Sequence, residues 1–246
     1  MTMKAAASDQ RKLLDLQDLD TQLQRLERAA VTPPETVVIT DLEARLATIR
    51  GELATARGAL EDVRTEFSRL ESDAGVVQAR IERDARLLND TASAKDAVGI
   101  EHELASLHKR RDDLDDIQLS VMEQLEAHGQ AMASIEAERD RLLGELDAAQ
   151  TAREARLAEL SRERERLLND RLALTGTLPA DLIDLYDRQR QRYGFGASLL
   201  QRGVSTASGV TLTGADLDLI RAAAADEVLL CPDSNAILIR TEESGI

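Results

Sequence analysis

Residues 42–88 read LEARLATIRGELATARGALEDVRTEFSRLESDAGVVQARIERDARLL, and the spacing of their apolar positions decides the fold. Leu42, Leu46, Ile49, Leu53, Ala56, Leu60, Val63, Phe67, Leu70, Ala74, Val77 and Ile81 follow one another at alternating steps of four and three, and a step of seven leads on to Leu88. That period of 3.5 residues keeps one stripe of a helix facing a partner helix, which is the seam of a left-handed coiled coil. Between the seam positions stand mostly Glu, Asp, Arg, Thr and Ser, as a solvated face requires. So long an unbroken seam points to a coiled coil rather than to a conventional helical bundle.

The pattern returns further on, at Ile100, Leu104, Leu107, Leu114, Val121, Leu125, Met132, Ile135, Leu142, Leu146, Ala149, Leu160, Leu167 and Leu174. Leu16, Leu19, Leu23 and Leu26 carry it back towards the start of the chain. Two breaks divide it. Pro33 and Pro34 end a helix near residues 32–35, and Asn89, Asp90, Thr91 and Ser93 suit a reversal near 89–94. A reversal at Thr91 sets Ala94 against Leu88, Gln150 against Thr32 and Leu178 against Lys4. The two arms then match in length, which favours an antiparallel hairpin within one chain over a parallel dimer. If arms instead paired between chains, a homo-oligomer of at least twice 27.0 kDa would result.

Composition agrees. Charged residues make up 31% of the 246 and aromatics 2%, so the chain cannot rest on a large aromatic core, and its abundant Ala, Leu, Glu, Asp and Arg suit long helices. A formal net charge of −15 disfavours RNA, DNA or an anionic membrane as a partner of the whole surface. The single cysteine allows no internal disulfide, and no signal peptide or apolar run of membrane-spanning length stands out, so the expected location is the cytoplasm.

After residue 178 the character changes. Residues 179–198 read as a connector, and 199–246 as a small α+β domain with β-like runs at 209–213, 227–230 and 236–240 around a short helix in TGADLDLIRAAAADE, capped by Thr213 or Asp216. Val204, Val210, Leu212, Leu217, Ile220, Val228, Leu230, Ile237 and Ile239 are its candidate core. The hairpin with its turn TASAKDAVGIEHELASLHKRR, the connector LPADLIDLYDRQR and the ending DLDLIRAAAADEVLLCPDSNAILIR together resemble the bacterial C4-type zinc-ribbon proteins, over nearly the whole chain. That resemblance implies a ribbon holding one zinc between two CxxC knuckles, and a regulatory or scaffolding role through protein or nucleic-acid contacts.

Matching the knuckles places Ser205 and Ser208 at the first pair of ligand positions and Cys231 and Ser234 at the second. Three of the four thiolates are therefore replaced by hydroxyls, which remain protonated near neutral pH, whereas structural zinc takes four ligands, mostly thiolate or imidazole. His102, His108 and His128 all lie on the hairpin. No zinc or other cofactor is expected. Asn235 follows the second knuckle, where the backbone goes left-handed, and Asn tolerates that conformation.

Little else suggests chemistry. HELASLH lacks the HExxH spacing, no glycine-rich phosphate loop opens a helix, and no carboxylate pair stands apart from the charged flanks of the coil. Lys109, Arg110 and Arg111 sit beside four aspartates that cancel them. The one local basic stretch is YDRQRQRYGFG, where Arg188, Arg190 and Arg192 adjoin Tyr186, Tyr193 and Phe195. Arginines among aromatics suit an acidic protein segment or single-stranded RNA, or else the rings anchor the small domain on the helices. The expected molecule is mainly α and not an enzyme: a coiled-coil adaptor for protein partners, with RNA binding at Arg188, Arg190, Arg192, Tyr193 and Phe195 as the alternative.

Overall fold

The computed structural model describes residues 3–245. Helix α1 spans Ala7–Val31, α2 Glu35–Asp90, α3 Ala94–Thr175 and α4 Ala180–Tyr193; strands β1 (Ala197–Gln201) and β2 (Val204–Ser205), helix α5 (Gly214–Ala222), and strands β3 (Leu229–Leu230) and β4 (Ile237–Ile239) follow. Two compact units divide the chain. One is Glu35–Thr151, and the other joins the residues before it to those after it.

In the unit 35–151, α2 and the first part of α3 pack antiparallel within one chain. Leu42 and Leu46 cluster with Leu142, and Leu70 and Ala74 with Leu114 and Val121, so each partner lies as far after the turn as its mate lies before it. Leu42, Leu46, Leu53, Leu60, Leu70, Ala74 and Ile81 of the seam are buried where knobs meet holes, and Ile49, Ala56, Val63, Phe67 and Val77 are half-covered. The missing seam residue between Ile81 and Leu88 is Asp84, buried beneath Arg80 and Arg83 at 3.8 and 3.6 Å. Ser93 starts α3: its hydroxyl accepts from the Asp96 amide at 3.4 Å and its carbonyl from that of Ala97 at 2.9 Å. Arg45–Glu138 and Arg80–Glu103 tie the arms across the seam, but such exposed pairs contribute under about 1 kcal/mol each.

In the other unit, α1 lies against the end of α3 and against α4. Here the seam runs through Leu13, Leu16, Asp20 and Leu23, so of the leucines 16, 19, 23 and 26 the first and third lie on it while Leu19 and Leu26 are only half-buried. Pro179 sets the start of α4, and Gly194, at φ 89°, ends it with its N–H on the Arg190 carbonyl.

The sheet order is β2-β1-β4-β3, with β1 and β4 parallel at the centre and the outer pairs antiparallel. The run 209–213 is not a strand; only Thr211 bridges to Val204. ASLLQ takes its place as β1, a strand the glycine-rich approach to it conceals. Along β4 successive side chains face opposite ways. Ile237 and Ile239 join Leu13, Leu16, Leu182 and Tyr186, whereas Leu238 joins Leu200, Leu212, Ile220 and Cys231 beneath α5. Val210 and Leu230, candidates for the core, are exposed. A sheet this small gains its buried area on one face from α1 and α4 and on the other from α5.

Two further ties close the unit. The Ala5 amide donates to the Asp226 carbonyl at 2.8 Å and the Val228 amide to the Met3 carbonyl at 3.0 Å, so residues 3–5 form an extra edge beside β3. Thr213 caps α5 through the Asp216 amide, and the Arg240 guanidinium collects the carbonyls of Ile220, Ala223, Ala224 and Glu227 beyond its C-terminus.

Candidate functional site

Three polar arrangements share the smaller domain and its supporting helices. The first is a buried hub on α1. Asp20, 1% exposed, accepts from Arg171 at 2.8 Å and from the Tyr186 hydroxyl at 2.8 Å, and faces Arg190 at 3.2 Å. Arg171 reaches on to Asp187 at 2.7 Å. One turn earlier, Gln17 accepts from the Gly196 amide at 2.8 Å, holding the start of β1 against the helix. Gly196 must be glycine, because an added Cβ would stand 2.5 Å from ring carbon Cδ2 of Tyr186.

The pKa shifts follow from this packing. Burial, then the Asp20 charge and the hydrogen bond to it, push the Tyr186 phenol well above its ordinary value, against Arg190 and Arg171. For Arg171 burial opposes the charge, yet Asp20 and then Asp187 outweigh it and raise the pKa. A phenol whose folded pKa lies above its unfolded value of about 10 stabilises the fold below pH ~10, and that contribution is lost as pH rises further. Urea titrations from pH 8 to 11 are therefore expected to show the stability difference between the native chain and Tyr186→Phe narrowing above pH ~10, by up to about 1.4 kcal/mol per pH unit. A difference that stays constant to pH 11 would contradict the arrangement.

The second arrangement is a rim at the end of α4. Arg192 lies over the Tyr193 ring at 5.3 Å from its centroid, and Tyr193 and Phe195 are 41% and 40% exposed. Arg188 is exposed too, but Arg190 turns inward to Asp20 and is withdrawn from the surface. The residues read together in the sequence are thus divided between scaffold (Tyr186, Arg190) and surface (Arg188, Arg192, Tyr193, Phe195).

The third is a pair of turns built alike. In one, the Gly209 amide donates to the Ser205 carbonyl at 2.8 Å and that of Ser205 to Val210 at 3.1 Å; in the other, Asn235 donates to Cys231 at 2.9 Å and Cys231 to Ala236 at 2.8 Å. Gly209 and Asn235 are left-handed at φ 69° and 57°. The Ser208 and Ser234 hydroxyls accept from the Val210 and Ala236 amides at 3.3 and 3.4 Å. Ser205 and Cys231 are fully buried, Ser208 and Ser234 partly. Burial raises the Cys231 pKa, but hydrogen bonds from the Ser205 hydroxyl, the Ser234 amide and hydroxyl, and the Asp233 amide outweigh it and lower it. One thiol among three hydroxyls does not fit a structural zinc, least of all with the Ser205 oxygen engaged by Ser198 at 2.7 Å.

Sequence reasoning missed Asp20, Gln17, Arg171, Gly196 and Ser198. Asp20 left a signal, since Leu13, Leu16, Asp20 and Leu23 keep the three–four spacing with one acidic member.

A long antiparallel helical hairpin in a chain that also carries a small C-terminal sheet defines a coiled-coil hairpin protein. The chain belongs to the family of the CT398-like coiled coil hairpin domain, which matches residues 16–194. It is 36% identical over 241 residues to the uncharacterized protein MT2288 of Mycobacterium tuberculosis, covering 98% of each chain, and 26% identical over 223 residues to ML1638 of Mycobacterium leprae, covering 89% of this chain and 95% of that one. A solved structure from Mycobacterium smegmatis superposes with a TM-score of 0.80 at 34% identity, over 97% of this chain and 100% of that one. CT398 from Chlamydia trachomatis superposes at 0.58 and 16% identity, over 94% and 97%, a likeness of fold. No helix among the described residues is long and apolar enough to cross a membrane.

Proposed function

We propose that the protein is a non-enzymatic cytoplasmic adaptor, a coiled-coil hairpin carrying a degenerate zinc-ribbon-like head that binds a protein partner through an acidic segment. The rim carries this reading. Tyr193 and Phe195 offer two rings at the surface with Arg192 stacked on one of them and Arg188 nearby, on a helix end held by the buried hub. Aromatics and arginines on a rigid platform are the residues that most often dominate binding energy, because little side-chain freedom remains to be lost. An acidic segment would match the two exposed guanidiniums. The same groups suit RNA, but a net charge of −15 opposes a polyanion approaching the rest of the surface.

The test is capture of partners by the tagged full-length chain from its own cell lysate, with and without nuclease, beside the double variant Tyr193→Ala/Phe195→Ala. A protein set that survives nuclease and falls at least roughly tenfold with the double variant is the expected result, two such rings being worth more than about 1.4 kcal/mol together. Capture abolished by nuclease would move the reading to RNA. Capture unchanged by the double variant would remove the rim from the account.

A further inference from the structure

The two turns at Ser205 and Cys231 keep a knuckle backbone although their donor set does not suit zinc, and something else must join them. Buried polar side chains do so. The Ala207 amide donates to the Ser198 hydroxyl at 3.0 Å, Ser198 and Ser205 share a bond of 2.7 Å, and the Ser205 and Ser234 hydroxyls stand near enough to the Cys231 thiol to lower its pKa. The Ser198 oxygen thus serves both as acceptor for the Ala207 amide and as partner of the Ser205 hydroxyl. The two turns differ at one point. In the second, the amide two residues on, Asp233, helps to lower the pKa of the first side chain of the turn, Cys231. In the first, the equivalent amide, Ala207, bypasses Ser205 for Ser198. A hydroxyl on Cβ is shorter than a thiol, and Ser198, on the adjacent strand β1 and 2% exposed, fills the difference.

We infer that the head is a metal-independent ribbon, in which the bonded hydroxyls of Ser198 and Ser205 and the buried Cys231 fill the place a tetrahedral metal would take, the two turns being held together by the β1–β4 pairing and the apolar layer around Cys231, with Ser198 as the residue that engages Ser205. The backbone of each turn is held by its own amide–carbonyl bonds and by the left-handed Gly209 and Asn235, so neither turn needs a metal for its shape. The inference concerns the head alone and stands whether or not the rim binds a partner.

Metal content and amide hydrogen exchange of the full-length chain test it. The native chain is expected to carry no stoichiometric zinc after purification with zinc in the medium, and to exchange at 197–212 and 227–240 at the same rate with and without EDTA. Ser198→Ala is expected to speed exchange in those two segments roughly tenfold while leaving residues 35–151 unchanged, as loss of a buried hydrogen-bonded hydroxyl should. The variant Ser205→Cys/Ser208→Cys/Ser234→Cys, with four thiols on two ready-made turns, is expected to bind one zinc per chain and to slow exchange there when zinc is added. One zinc per native chain, or EDTA-dependent exchange in the native head, would overturn the inference without recourse to any variant. So would a Ser198→Ala head that exchanges like the native one. A four-cysteine variant that folds yet takes up no zinc would overturn the claim that the turns keep a ligand-bearing shape.

Discussion

Replacing Asp20 by alanine is expected to cost about 3–5 kcal/mol of the stability of the unit formed by the two ends of the chain. The carboxylate is the common partner of Arg171, Arg190 and the Tyr186 hydroxyl; Tyr186 is fully buried, and the two arginine side chains keep only 21% and 27% of their surface exposed. Removing it deprives both guanidiniums of the buried carboxylate and leaves Arg171 with Asp187 alone. Asp20→Asn keeps the shape and an acceptor but not the charge, and is expected to fall between the native chain and alanine. Hydrogen exchange monitored across the whole chain reads the effect by region: protection at 7–31, 180–193 and 197–240 drops, while the seam at 35–151, whose clusters draw on no residue outside it, keeps its own. A loss below about 1 kcal/mol would place Asp20 among ordinary surface pairs and refute the hub.

Gly196→Ala is the second large effect, about 3 kcal/mol. The added methyl meets the face of Tyr186, and that ring cannot retreat because it is fully buried and tethered by its hydroxyl to Asp20. β1 cannot retreat either, since the Gly196 carbonyl accepts from Ile237 at 2.9 Å and its amide is held by Gln17. Denaturation of the single variants and of Gly196→Ala/Tyr186→Leu gives the check. The smaller side chain vacates the space, so the double variant is expected to lose clearly less than the sum of the two singles, and strict additivity would show that the ring is not what the methyl meets.

The hairpin was legible because its information is local and periodic: Leu42 to Ile81 declares a 3.5-residue seam with no knowledge of the partner arm, and Asn89 to Ser93 declares the reversal. The smaller domain was legible only in part. Its second turn was readable from Cys231–Ser234, with the left-handed Asn235 from its place there, and its first only through the resemblance that set Ser205 and Ser208 opposite it. β1 was not, because ASLLQ becomes a strand by pairing in parallel with Ile237–Ile239, far along the chain, while GVTLT has strand-like residues but finds only one bridge. The hub was least accessible. Asp20 meets partners 151 and 166 residues later, and only the fold brings such distant residues together. Arg190 shows the same limit from the other side: in the sequence it is one of three alternating arginines, and only the buried Asp20 distinguishes it from Arg188 and Arg192.

The extra edge made by residues 3–5 beside β3 also orders events in time. A ribosome delivers α1 well ahead of Val228, so Leu13 and Leu16 emerge some two hundred residues before the strand and helix that will cover them, an interval of roughly ten to forty seconds at ordinary elongation rates. The segment 35–151 has no such wait, since each arm's partner lies within it. Limited proteolysis of stalled nascent chains should find 35–151 protected once it has emerged and residues 7–31 still cleaved until the last strand is released. For that interval the first helix is an apolar stripe in search of cover, and the cell's chaperones rather than the native fold decide what it meets.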